Sequence, residues 1–153
     1  CFRKFYRFAD ESHFLGELAV MMGGFAAEKL IFSDISTGAS NDLKEASELA
    51  RKLVTKYGMS ESLGPMTFGN TEELIFLGRE ISTEKNYSEK TATRIDEEVA
   101  RFITHAYALA EKVIKIHRKA LEKIAHTLLE KETLEQDEFY AILKPFKIKP
   151  LAT

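Results

Sequence analysis

Apolar residues recur three and four positions apart over most of this chain, which is the spacing of a helical face and not the alternation of a half-buried strand. Phe14, Leu15, Leu18, Val20, Met21, Met22, Phe25, Ala26, Leu30 and Ile31 form the first set, behind Asp10 or Ser12 as a cap. The set is apolar on most sides, which predicts one largely buried helix. Gly23-Gly24 lies inside it, at about 1 kcal/mol of lost propensity per glycine, and points to the close approach of another backbone. Leu43, Ala46, Leu49, Ala50, Leu53, Val54 and Tyr57 make a second helix with one clean apolar face. Lys44, Glu45, Glu48, Arg51, Lys52 and Lys56 form its wet side. Gly58 ends it as a left-handed residue, with a contact back from Met59 expected.

Residues 59–86 hold Gly64-Pro65, Gly69-Asn70 and Gly78 and read as irregular, with Glu73–Leu77 as the one candidate strand. From Ser88 to Lys144 there is neither glycine nor proline. Ala92, Ile95, Val99, Phe102, Ala106, Leu109, Val113, Ile116 and Ala120 alternate three and four apart, a heptad seam. Leu121, Ile124, Ala125, Leu128 and Leu129 continue the pattern. A single rod of that length does not suit a compact domain, which places a break near Ile116–Lys119. Thr133-Leu134-Glu135-Gln136 reads as a capping box opening a last short helix with Phe139, Tyr140, Ile142 and Leu143. Pro145 stops it. The expected fold class is all-α, a helical bundle with little or no sheet.

Composition narrows the classes. The 153 residues suit one domain with a real core, and 44% apolar with 30% charged residues is a globular balance. A net charge of −2 gives no basic footprint for nucleic acid, so no nucleic-acid partner is expected. The single cysteine, Cys1, excludes an internal disulfide framework and points weakly to a reducing compartment. No run of roughly 18 or more apolar residues is present to span a membrane, and no signal peptide opens the chain. An opening on Cys1 in place of Met is expected of a piece of a longer protein.

The stretch Ser36-Thr37-Gly38-Ala39-Ser40-Asn41-Asp42 separates the first two helical patterns. It is small, polar and glycine-containing. Ser40 or Asn41 can cap the following helix, which places Asp42 in its first turn. On spacing alone the ordinary role of Asp42 is to complement the positive end of the helix dipole. Glu28, four residues past Gly24 on a mostly apolar helix, should have a partner. His13, His105, His117 and His126 do not pair at three or four positions and read as structural or exposed. Asp96-Glu97-Glu98 reads as a solvated helix face. There is no H-E-x-x-H, C-x-x-C, phosphate loop or G-x-S-x-G. Spacing supports a helical domain without a complete active site.

Several short blocks nevertheless follow one another in a specific order. They are Gly23-Gly24-x-Ala26-Ala27-Glu28, then Ser36 through Leu43, then Gly58-Met59-Ser60-Glu61-x-Leu63-Gly64-Pro65. Phe76-Leu77-Gly78-Arg79-Glu80, Tyr87-Ser88-Glu89-x-Thr91-Ala92, Ile95 through Val99 and Leu128 through Leu134 complete the series. The ordered set resembles the peptidase domain of the FtsH family of ATP-dependent zinc metalloproteases, over roughly Ser12 to Leu143. The resemblance divides the chain into a poorly matched arm (1–11), the C-terminal part of such a domain (12–145) and a tail (146–153). Within that part, 12–58 are the zinc-side helices, 59–86 a loop and 88–145 a helical pair with a capping helix.

The resemblance implies a membrane-anchored homo-hexamer. In it an AAA ATPase module, using ATP and magnesium, feeds protein substrates to a helical peptidase domain in the cytoplasm or an organelle interior. The membrane is reached only through N-terminal segments outside this sequence. Zinc is held there by two histidines of an H-E-x-x-H helix and one aspartate, whose matching position is Asp42. Two imidazoles and a carboxylate leave a fourth position for water, and the motif glutamate acts as general base. Glu28 matches an acidic position near the site and is expected to orient a histidine ligand or the zinc-bearing helix. Ser36, Thr37, Gly38 and Asn41 form the matching active-site loop. No residue of this chain is expected to be the general base. Phe25 stands where the family usually has arginine, and the Phe32–Ile35 connection is short. The alternative is a non-catalytic helical assembly module, a pseudo-protease packing in a hexameric ring.

Overall fold

The computed structural model of the chain describes residues 10–34, 36–69 and 87–148. Six α-helices are present among them: α1 (Glu11–Met21), α2 (Gly23–Phe32), α3 (Ser40–Thr55), α4 (Glu89–Ile116), α5 (Arg118–Lys131) and α6 (Gln136–Leu143). Short 3₁₀ turns precede α3 and follow α6. The described residues contain no strand. None of their helices is long and apolar enough to cross a membrane. The candidate strand at 73–77 and residues 1–9 of the poorly matched arm lie outside the described residues.

The first apolar pattern yields two helices, not one. Asp10 caps α1 by accepting the His13 backbone N–H at 2.9 Å. The chain turns at Met22, and the glycine pair opens α2. Only Leu18, Met22 and Ala26 of the pattern are buried, whereas Val20 and Phe32 are 80% and 74% exposed. The expected largely buried helix is therefore corrected: Phe14, Leu15, Met21, Phe25 and Leu30 are half-buried, and Val20 and Ile31 are exposed. α1 packs against α3 and α2, and Phe14 stacks on Tyr57 beyond the end of α3.

α3 buries the face its spacing predicts, through Ala46, Ala50, Leu53 and Val54. Gly58 adopts a left-handed φ of 62°, and the Met59 N–H reaches back to the Leu53 carbonyl at 2.9 Å. A side chain at position 58 would also press on the Met66 backbone at 3.4 Å. The following loop returns to α3 through the Phe68 N–H on the Thr55 carbonyl.

α4 and α5 meet at His117, within the span where a break is expected. The buried stripe of α4 is Ile95, Glu98, Phe102, Ala106 and Ala110, closer to a straight 3.6-residue period than to a heptad. Val99 is half-buried, and Val113 and Ile116 are exposed. The seam thus holds in the first half of α4 and not at its end. Glu98 also corrects an expectation: it lies inside the stripe at 8% exposure, not on a solvated face.

The chain divides into two contact units between Ala110 and Glu111. In the second, α6 packs on α5 and on the closing 3₁₀ turn, Lys144–Phe146, with Leu143 buried. Lys131 pairs with Glu138 at 2.5 Å. The expected capping box does not form. α6 starts at Gln136, its cap position is Glu135, and no side chain accepts there. Glu132, in a left-handed conformation, ends α5 just before Thr133, which separates Thr133 from the start of α6. Pro145 sits within the 3₁₀ turn.

Candidate functional site

One face of α2 organises the candidate site. Gly24 and Glu28 are four residues apart, so both side-chain directions lie on the same side of the helix. Each meets a different part of the segment leading into α3.

Glu28 meets its start. Its carboxylate accepts the Ser36 backbone N–H at 3.0 Å. The Ser36 hydroxyl lies 3.0 Å from both Glu28 oxygens and donates to them. With its hydrogen so directed, Ser36 Oγ accepts the Gly38 N–H, also at 3.0 Å. Ser36 is thereby the cap of the 3₁₀ turn Thr37–Ala39. This corrects the expected cap: Ser40 and Asn41 already lie inside α3, and Asn41 donates along the helix to Glu45. The Glu28 oxygens are engaged by Ser36; the histidines and the zinc-bearing helix expected beside Glu28 are not among these 153 residues. A hydrogen bond to an ionised acceptor is roughly twice as strong as a neutral one, though Ser36 stands exposed and water weakens the contact.

Gly38 suits this contact, since a side chain there would crowd both partners. A Cβ there would stand 3.0 Å from Ser36 Oγ and 3.2 Å from Glu28 Oε1. Thr37 opens the turn, and its carbonyl accepts the Ser40 N–H. Ala39 is buried and roots the turn in the core.

Gly24 meets the end of the segment. A Cβ built on Gly24 would sit 3.7 Å from Asp42 Oδ2. That is an ordinary contact distance, so Gly24 lies beside the carboxylate without being required by it, and the close backbone approach expected at the glycine pair is not found among the described residues; Gly23 has no atom near its Cβ direction. Asp42 is half-buried in the first turn of α3. Among the described residues its carboxylate takes no hydrogen bond or ion pair.

A fixed carboxylate without a competing partner suits a hard oxygen donor to a divalent cation. It is one donor and not a site, since no group of three or more His, Cys, Asp or Glu placed to hold a metal occurs among the described residues. The residues present thus fit the single-ligand role. His13 pairs with Glu17 at 3.1 Å on exposed α1, and His105 and His126 are exposed. Phe25 packs edge-on against Tyr107 of α4, beneath the Lys29 ammonium. An aromatic at position 25 is accommodated by that contact.

A second polar cluster escaped the sequence reading. Glu98 accepts the Ser60 hydroxyl at 2.7 Å and is paired with Arg101 at 3.0 Å. Ser60 Oγ accepts the Leu63 N–H, and the Arg94 guanidinium donates to the Ser62 carbonyl. These bonds tie the loop after α3 to α4. A signal was available: Glu98 falls between Ile95 and Phe102 at the buried period.

The sequence profile described as peptidase family M41 matches residues 4–142. A Thermomicrobium roseum protein named ATP-dependent zinc metalloprotease FtsH 1 is 48% identical over 143 residues, covering 94% of this chain and 22% of that protein. The ATP-dependent zinc metalloprotease FtsH of Caldicellulosiruptor bescii is 48% identical over 136 residues, covering 89% and 22%. That of Thermotoga maritima is 46% identical over 134 residues, covering 88% and 22%. The chain spans about a fifth of the length of these curated relatives. With the profile covering nearly all of its described helices, the chain belongs to peptidase family M41.

Proposed function

We propose that this chain is the C-terminal portion of the peptidase domain of an ATP-dependent zinc metalloendopeptidase, and that Asp42 is one of the protein ligands of its zinc. The observation that supports this reading is the Asp42 carboxylate. It is fixed at the start of a 16-residue helix, faces the bare backbone of Gly24, and has no other partner among the described residues. Zinc held there supplies Lewis-acid activation of water for peptide hydrolysis. What this chain contributes is a negatively charged oxygen donor on a rigid element, presented by a turn whose conformation is set before any ligand arrives. The two imidazole ligands and the general base belong to an H-E-x-x-H helix, which these 153 residues do not contain. The assembly that goes with this reading is a membrane-anchored homo-hexamer acting on protein substrates. An AAA module there uses ATP and magnesium, and the peptidase domain lies in the cytoplasm or an organelle interior.

The test uses a parent protein in which H-E-x-x-H precedes this segment. Asp42→Ala should lower zinc content and abolish casein cleavage. Asp42→Asn should fail as well, because a neutral amide is a poorer ligand for a dication. ATP hydrolysis should largely survive both changes. The 153-residue chain alone, with neither general base nor phosphate loop, should cleave no casein and hydrolyse no ATP. Full zinc occupancy and normal proteolysis in Asp42→Ala would refute the assignment.

A further inference from the structure

We infer that Glu28 is a positioning residue for Asp42, acting through Ser36. The inference rests on the reading of Asp42 as a zinc ligand. It goes further in naming what holds that ligand in place.

The geometry carries it in three steps. Glu28 takes both hydrogens that Ser36 can offer, the backbone N–H and the hydroxyl. The hydroxyl, its hydrogen so committed, presents a lone pair to the Gly38 N–H and closes the 3₁₀ turn. The turn hands the chain to α3 at Ser40, two residues before Asp42. α2 then meets the far end of the same segment where Gly24 lies beside Asp42 Oδ2. Glu28 and Gly24 are one helical turn apart, so a single rigid face sets both ends. Without the clasp at Ser36 the turn loses its cap, and the first turn of α3, which carries Asp42, is held less firmly, while the buried face of α3 keeps the helix in place. Groups that orient a ligand typically alter metal affinity by about 10–100-fold when removed.

The experiment measures zinc affinity in the full parent protein by competition with a chelator of known strength. Its variants are Glu28→Gln, Ser36→Ala, the double variant, Ser36→Thr and Asp42→Ala. Glu28→Gln keeps the size of the side chain but brings an amide donor where both oxygens now accept. Glu28→Gln and Ser36→Ala should each weaken zinc binding by about ten-fold or more. The double variant should be no weaker than the worse single one, because both break one relay. Ser36→Thr, which keeps the hydroxyl, should restore wild-type affinity. In the zinc-free protein, hydrogen exchange at the Gly38 amide should accelerate in Glu28→Gln, while exchange at the amides of the buried α3 face stays unchanged and reports an intact fold.

Asp42→Ala separates the two levels of failure. If it leaves zinc affinity unchanged, the reading of Asp42 falls, and the inference with it. If it weakens binding while Glu28→Gln and Ser36→Ala do not, the clasp alone is overturned. If Glu28→Gln weakens binding and Ser36→Ala does not, Glu28 acts directly, and the route through Ser36 is wrong.

Discussion

Glu98 is a carboxylate set into an apolar stripe, and its neighbours decide how it stays charged. Burial, the largest single influence, pushes its pKa up. Hydrogen bonds from Arg101 and Ser60 and the Arg101 charge together outweigh burial, and the carboxyl is held below its ordinary value of 4.5. The Arg101 pKa moves up in response, chiefly through its bond to Glu98. A carboxyl whose folded pKa is depressed stabilises the fold above its unfolded pKa. That contribution is lost as pH falls through the folded value. The wild-type chain should therefore lose stability below about pH 4.5, the ordinary value from which Glu98 is displaced. Glu98→Gln should be less stable at pH 7 by about 1–3 kcal/mol, the usual cost of a lost buried charge-assisted bond. Its deficit should shrink as the pH is lowered from 5 to 3. Urea denaturation of both proteins across that range checks it. A constant difference between them would remove the electrostatic account. At this scale the sequence singles out Asp42 and Glu28 as candidates by their identities. It was not legible for what they touch. That Gly24 lies beside Asp42, or that Ser36 caps the turn before α3, depends on backbone direction between α2 and α3. No propensity encodes that.

At the scale of elements, helical period proved a sound guide to which residues fold together and a poorer one to where each helix starts. The α3 face and the interruption at His117 follow from spacing and from the improbability of a longer rod. Caps depend on one or two dihedral angles, and tertiary contacts override their sequence signatures. Glu135 takes an extended ψ of 158° and opens α6 without a side-chain bond, two residues beyond the Thr133 box position. The α4 stripe shows why a heptad was the wrong period. Buried positions drift toward Ala106 and Ala110, leaving Val113 and Ile116 in solvent. Phe102 is among the largest fully packed side chains. Phe102→Ala should destabilise the chain by about 3–5 kcal/mol. Val113→Ala, at a half-exposed site, should change stability by roughly 0.5 kcal/mol or less. Thermal melts of the two variants distinguish this stripe from the seam. Equal losses would restore the heptad.

At the scale of the whole molecule, a small number of contacts between distant positions hold the helices of the first unit together. Arg51 of α3 meets Asp96 of α4 at 2.8 Å, across 45 positions. Phe25 of α2 rests on Tyr107, and Arg94 reaches the Ser62 carbonyl. The Arg51 pair is largely exposed and adds little, since surface ion pairs contribute about 0–1 kcal/mol. The buried Ser60–Glu98 bond is the polar contact that cannot be exchanged for water. The second unit is held more locally, by α6 on α5 and the Lys131–Glu138 pair. An all-α domain was legible at this scale because almost every element announces its own period. The pairing of elements was not, because the polar contacts between the loop after α3 and α4 join residues 32 and 38 positions apart.

The Ser60–Glu98 bond also limits which sequences this fold can drift through. Losing Glu98 alone leaves the buried Ser60 hydroxyl without its acceptor, and losing Ser60 alone removes one of the bonds that hold Glu98 charged beside Arg101, each at about 1–3 kcal/mol. Replacing both by apolar residues of similar volume removes the debt and is often neutral or stabilising. Positions 60 and 98 thus form one heritable unit, although 38 residues separate them. A library randomised at both and selected for folded protein should return joint replacements, such as Ser60→Ala with Glu98→Leu or Glu98→Met, far more often than either change alone. Independent recovery of single changes would mean that the bond exerts no such constraint.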